Sequence, residues 1–123
     1  MLSLVVCAGA YLQEEWELCA NGPCECEPDI LRVRCRSVGI QAVLTQYFPA
    51  DTEILVLRDN GMTRIPDNFF IQRSFKNLIE LRLRNDSLTE LTSDGFLGIP
   101  QLRRLYILYI LYNEMTQTPF SMA

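Results

Sequence analysis

Leucines recur at every second position over short stretches of this chain, as L-x-L at Leu55 to Leu57 and again at Leu81 to Leu83. A period of two places such side chains on one face of a short strand. The two stretches belong to one repeated pattern. EILVLRDNGMTRIPDNFF superposes on IELRLRNDSLTELTSDGF at a single offset of 26 residues, which sets Leu55 on Leu81, Leu57 on Leu83, Asn60 on Asp86, Met62 on Leu88, Ile65 on Leu91 and Phe70 on Phe96. The unit this predicts is a strand, a turn in which the Asn hydrogen-bonds the neighbouring coil, and a loop whose far side is filled by the Phe. Each unit buries its leucines only against the next, so the array grows as a solenoid with a parallel sheet along one face. Upstream, Leu31, Val33 and Cys35 alternate with Arg32, Arg34 and Arg36, a strand with one dry and one wet face, and Glu27-Pro28-Asp29 supplies the turn before it.

A third unit begins in LYILYILYN, Leu105 to Asn113, and it has two frames. In the first, Leu102, Leu105 and Ile107 follow Leu78, Leu81 and Leu83 by 24 residues, and Ile110 falls where the Asn belongs. In the second, Leu105, Leu108 and Ile110 are the repeat positions, Asn113 sits at the turn, Met115 matches Met62, Pro119 matches Pro66, and Leu102 takes the role of Phe75. The second is favoured because it moves three extra residues into a loop, where length is tolerated. It predicts Leu108 and Ile110 buried, with Tyr106, Ile107, Tyr109 and Tyr112 on the opposite face.

The first ten residues, MLSLVVCAGA, are apolar, too short to span a bilayer, and end in a small-x-small triplet. They read as a signal peptide over residues 1–10, although a basic n-region is missing and a buried strand is the alternative. Cysteine usage supports export. Removing Cys7 leaves Cys19, Cys24, Cys26 and Cys35, an even set that suits two disulfides better than zinc, because Cys24 and Cys26 lie one residue apart. Four cysteines allow three connectivities, and spacing does not choose among them. No later segment approaches eighteen apolar residues, so no membrane span is expected.

These patterns resemble the extracellular leucine-rich-repeat proteins, whose unit reads L-x-x-L-x-L-x-x-N-x-L-x-x-L with a later Phe. Leu78, Leu81, Leu83, Leu88, Leu91 and Phe96 match it, with Asp86 in place of the Asn. The cysteine cluster, followed by Pro49-Ala50-Asp51-Thr52-Glu53-Ile54-Leu55-Val56-Leu57, looks like that family's N-terminal cap. PCEC followed by RVRC is also similar to the start of glycoprotein-hormone-receptor ectodomains. The resemblance implies bridges Cys19–Cys26 and Cys24–Cys35. It also implies a leucine-rich-repeat solenoid, an α/β-type horseshoe segment with a short parallel sheet on its concave face, loops and 3-10 turns on the convex side, and a disulfide-stapled β-hairpin cap. Residues 19–51 are then the cap, 52–77 the first repeat, 78–104 the second, and 105–123 a partial third without a C-terminal cap.

Charge and chemistry narrow the function. A net charge of −4 and a pI near 4.8 argue against nucleic acid. Glu14, Glu15, Glu17, Glu25, Glu27 and Asp29 make the first quarter acidic, which reads as a solvated face. The three alternate arginines after them read as locally salt-bridged rather than as a heparin stripe. No histidine occurs, which removes Ser-His and Cys-His nucleophile pairs, and the six glycines are scattered rather than gathered into a phosphate loop. An enzyme is therefore not expected, nor any cofactor or metal. What remains is recognition of a protein ligand or co-receptor in a secreted or extracellular setting. The residues between the repeat leucines would present it, with Val56, Arg58, Arg82, Arg84, Tyr106 and Tyr109 as the contact set. Arg58 and Arg84 occupy equivalent places on successive strands, a repulsion folding alone would not favour, so an acidic partner competes with a reading of solvated polar positions. Asn85-Asp86-Ser87 is the only N-x-[ST] sequon, making Asn85 a candidate glycan site. The alternative is a truncated or structural N-terminal fragment of a longer leucine-rich-repeat receptor or matrix protein, self-associating through its uncapped last repeat.

Overall fold

A computed structural model describes residues 13–73, 75–84, 88 and 93–108. Helix α1 (Gln13–Ala20) leads into a hairpin of β1 (Glu25–Glu27) and β2 (Arg32–Arg36), joined by a 3-10 turn at Pro28–Ile30. A short helix α2 (Ile40–Thr45) precedes β3 (Ile54–Arg58), helix α3 (Phe69–Gln72) precedes β4 (Glu80–Arg84), and a 3-10 turn (Ser93–Phe96) precedes β5 (Arg104–Leu108). The five strands form one sheet in chain order, antiparallel between β1 and β2 and parallel from β2 onward.

One backbone device recurs at the entrance to every parallel strand. The carbonyl of Leu31 accepts from the amides of Glu53 and Ile54, that of Glu53 from Ile79 and Glu80, and that of Ile79 from Arg103 and Arg104. Each strand is thereby started at the same height as the last. Leu55, Leu81 and Leu105 then stand in one register row, and Leu57, Leu83 and Ile107 in the next. Leu55, Leu57, Leu81 and Leu83 are fully buried, and Leu105 and Ile107 pack against the same core. A strand slipped by one residue would send all of these to the solvent face.

The third repeat therefore takes the first frame, which corrects the preference for the second. Ile107, expected on the open face, packs toward the core, while Leu108, expected inside, stands in register with Arg84. Leu102 is buried two residues before its strand, as Leu78 is before β4, and so takes the place of Leu78 rather than Phe75. The physical reason lies in the preceding loop. Gln101 donates through Nε2 to the carbonyls of Phe75 and Leu78 at 2.9 and 3.0 Å, which ties the loop short and delivers Arg103 and Arg104 to Ile79. Tyr109, Ile110 and Tyr112 lie outside the described residues, as do residues 1–10.

Behind the sheet, Phe48, Phe69, Phe70 and Phe75 form a cluster with ring centroids 5.0 to 6.2 Å apart, mostly tilted or edge-on, the favoured aromatic geometry. Asn60 is buried at the turn after β3. Its Oδ1 accepts from the amides of Val38 and Gly39 at 3.0 and 3.3 Å, and its Nδ2 donates to the Cys35 carbonyl at 2.8 Å. The repeat Asn thus bonds the neighbouring coil, and Gly61 beside it takes a φ of 76° that a side chain would oppose.

Two disulfides staple the cap, Cys19 to Cys26 and Cys24 to Cys35. These are the pairs the resemblance implied. Helix α1, which the sequence pattern did not reveal, closes over the cap: buried Trp16 donates from Nε1 to Asp51 Oδ1 at 2.9 Å, and Glu15 Oε1 accepts from the Ala50 amide at 2.7 Å. Glu15 is thus a structural acceptor rather than part of a merely solvated acidic face. Buried Gln46 accepts from the Cys24 amide through Oε1 and donates through Nε2 to the carbonyls of Cys19 and Tyr47.

Replacing Asn60 by Ala strands two amides and a carbonyl in the interior. The expected loss is about 2 kcal/mol, from ~1–3 kcal/mol for an orphaned buried group, measured by urea unfolding with the disulfides intact. A loss below about 0.5 kcal/mol, the range of an ordinary surface substitution, would mean that water satisfies the turn instead.

Candidate functional site

Alternation places the remaining strand residues on the open face of the sheet, in three register rows. The first runs Glu27, Arg32, Ile54, Glu80, Arg104; the second Glu25, Arg34, Val56, Arg82, Tyr106; the third Arg36, Arg58, Arg84. Seven of the chain's 11 lysines and arginines stand in these rows against three carboxylates, while the whole chain carries −4. The face is basic on an acidic protein.

The charges are unevenly matched. At the cap end, Arg32 Nε meets Glu27 Oε1 at 2.6 Å, and Glu25 bridges Arg34 and Arg36 at 2.9 and 3.2 Å. The hydrogen bond from Arg32 holds the Glu27 carboxyl below its usual range against the opposing effect of burial, and Glu27 raises Arg32 in return. Pairs this exposed contribute only ~0–1 kcal/mol each. Further along, Arg58 has Asp59 at 3.4 Å, and among the described residues no carboxylate pairs with Arg84. Arg36, Arg58 and Arg84 therefore form a row of like charges on strands ~4.8 Å apart, which folding alone does not call for. A shallow depression of about 350 Å³ opens at its cap end, lined by Glu25, Arg34, Arg36, Arg58 and Asp59 among others.

In the middle of the face stands Glu80, with only 7% of its side chain exposed. Its Oε2 accepts from Arg82 Nε at 2.6 Å and its Oε1 from Arg104 Nε at 2.9 Å. Burial pushes the Glu80 carboxyl up, but the hydrogen bonds from Arg104 and Arg82 outweigh it and hold the group below its ordinary value. The Arg82 guanidinium lies over the Tyr106 ring, 5.0 Å from its centroid, and Tyr106 remains 47% exposed. Such stacking adds ~0.5–1 kcal/mol at an exposed site and limits the motion of the arginine.

Of the contact set expected from sequence, Val56, Arg58, Arg82, Arg84 and Tyr106 stand together on this face. Val56 is nearly covered, in register between Arg34 and Arg82. Tyr109 and the sequon residue Asn85 lie outside the described residues. Arg36 and Arg104 were missed. Arg36 continues the Arg58/Arg84 row one strand earlier, a signal present in the R-x-R spacing, whereas Arg104 was hidden by the frame chosen for the third repeat. A second depression of about 380 Å³ beside Glu15, Tyr47 and Arg73 is committed to structure, since Arg73 donates to the carbonyls of Phe69 and Leu44 and stacks on Phe69. Among the described residues no cluster of three or more His, Cys, Asp or Glu could hold a metal ion.

A carboxyl whose pKa is lowered by folding stabilises the protein above its unfolded value, and that stabilisation is lost as pH falls through the folded value. Glu80 should therefore contribute fully at neutral pH and progressively less on acidification below about 4.5, the ordinary glutamate value. Comparing Glu80→Gln with the parent by chemical denaturation, the gap should be wide at pH 7 and narrow by pH ~3. A gap independent of pH would show that Glu80 contributes through packing alone.

Comparison with known proteins agrees with the strand and turn pattern. A family model for the leucine rich repeat matches residues 52–109. The leucine-rich repeat-containing G-protein coupled receptor 5A of Xenopus laevis is 34% identical over 87 residues, which cover 69% of this chain and 9% of that receptor. No solved structure matches. With L-x-L strands in register, a buried turn Asn and a two-disulfide cap, the chain belongs to the leucine-rich-repeat proteins.

Proposed function

We propose that this chain is a non-enzymatic, extracellular recognition module that binds an acidic protein ligand or co-receptor through the concave, open face of its sheet. The observation that carries the reading is the charge reversal: an excess of four positive charges on the strand face of a chain whose net charge is −4. A face built only for solubility would share the sign of the rest, whereas a concentrated opposite field steers an oppositely charged partner onto it. Arg58, Arg82 and Arg84 supply charge, and Tyr106 supplies exposed apolar area beside the nearly covered Val56, the mixture of aromatic and arginine anchors typical of binding surfaces. The two disulfides suit an oxidising compartment, and the similar Xenopus protein is named as a receptor.

A second reading has one observation behind it, the 9% coverage of that receptor. In this reading the face is one stretch of a longer binding surface and contributes affinity only together with further repeats.

The test is a screen of secreted proteins against the immobilised chain, made in an oxidising host, followed by kinetics. Binding should weaken as salt rises, the double reversal Arg58→Glu with Arg84→Glu should weaken it at least about tenfold, and each single reversal should weaken it more than Lys76→Glu, a change of the same charge off the strand face. A partner indifferent to the double reversal but sensitive to Lys76→Glu would move the site elsewhere.

A further inference from the structure

The open face contains one arrangement that its charge alone does not explain. Glu80 and Arg82 lie two residues apart on β4, and Arg104 and Tyr106 stand opposite them on β5, so the four side chains form a two-by-two block. Glu80 is nearly covered, while the two arginines are 47% and 46% exposed. Each guanidinium meets Glu80 through its Nε, one on each carboxylate oxygen. A guanidinium has five N–H donors, and Nε carries only one of them. Among the described residues nothing accepts from the Nη groups of Arg82 or Arg104. One carboxylate thus holds two forks and neutralises one charge of two.

We propose that Arg82 and Arg104 together receive a single carboxylate side chain of a protein partner, with Glu80 as the positioning residue that holds the two forks and Tyr106 as the platform beneath one of them. The proposal rests on the face reading above and names the chemistry at its centre. Arginine is suited to the task because its planar fork meets a carboxylate in two parallel hydrogen bonds, and a fork already fixed through Nε loses less freedom on binding. A structural ion pair would need one arginine, not two. A sulfated glycan fits less well at this block, because the Glu80 carboxylate beside both arginines repels a polyanion, and the exposed ring of Tyr106 beside the forks suits a protein surface.

The arrangement makes a prediction opposite in sign to simple electrostatics. Glu80→Gln adds one unit of positive charge to the face. If the face attracted anions by net charge, this substitution would tighten binding; if Glu80 positions the forks, it weakens binding.

The probe is a phage-displayed random dodecapeptide library selected on the full, oxidised chain, with the affinities of the resulting synthetic peptides measured by calorimetry. Selected peptides should share one essential Asp or Glu, whose amide variant binds about tenfold more weakly. Arg82→Lys and Arg104→Lys, exposed changes that keep the charge and remove the fork, should each cost about tenfold. Once a peptide's acid has been amidated, these changes should cost it little more. Glu80→Gln should weaken binding of the acid-bearing peptide, with its thermal midpoint recorded as a control on folding.

Unchanged affinity in both lysine variants overturns the proposal, as does tighter binding by Glu80→Gln. A heparin oligosaccharide that competes with the peptides and binds Glu80→Gln more tightly overturns it in favour of a glycan. Peptides that need no acid yet are lost on Val56→Glu sink this inference and leave the face reading standing. Peptides that need no acid and are also indifferent to Val56→Glu, or no selected binder at all, sink both.

Discussion

The height at which each strand begins is the constraint on which the rest depends. Three carbonyls, Leu31, Glu53 and Ile79, each accept two amides from the coil that follows, and this sets Leu55, Leu81 and Leu105 in one row. Because side chains alternate along a strand, the same bonds decide which residues face solvent. The block of Glu80, Arg82, Arg104 and Tyr106 exists only because β5 starts at Arg104; started one residue later, Tyr106 would face the core and Arg82 would lose its ring. Core and candidate site are therefore two sides of one register, and a substitution at Leu83 or Gln101 would be felt on the open face.

The cap supplies the first height in that series. Its hairpin is too small to build a core, so two cystines hold it, and Trp16, Glu15 and Gln46 tie helix α1 and the strand turn to the loop that enters β3. That loop is itself tight, since Thr52 is fully buried and donates from Oγ1 to the Pro49 carbonyl at 2.7 Å. Covalent closure of short loops reduces the freedom of the unfolded chain, which suits a segment with little apolar area of its own. The polar contacts then orient what the cystines merely join.

Much of this was legible in the sequence because repetition makes it redundant. Leu55 and Leu81 announce the same strand twice, Asn60 and Phe70 recur as Asp86 and Phe96, and the alternation of Leu31, Val33 and Cys35 with three arginines marks β2 without any partner. Two features were not. Helix α1 has only Trp16 and Cys19 as buried residues, too few to print a helical period, and its place is fixed by long-range bonds to Ala50 and Asp51. The third strand failed differently. Its sequence is apolar at almost every position from Leu105 to Ile110, so alternation carries no sign, and a turn Asn three residues late seemed to decide the frame. The deciding residue was Gln101, whose carboxamide binds the previous coil and cannot be read from a pattern of leucines.

The same limit applies to the site. Arg58 and Arg84 could be paired from their spacing, but Glu80 looked like one more outward polar residue, and only the sheet shows it covered and holding two arginines. A half-neutralised pair of this kind is costly unless something else repays it: two guanidinia held on one carboxylate repel one another, and a covered carboxylate must be desolvated. Replacing Glu80 and Arg104 by apolar residues would serve packing as well, since Ile54 occupies the corresponding place on β3 without loss of register. The protein instead keeps a charged block at the middle of the sheet, with Ile54 and Val56 beside it and the ring of Tyr106 within it. That is the composition of a binding surface, in which a desolvated polar centre gives specificity and the surrounding apolar area gives affinity.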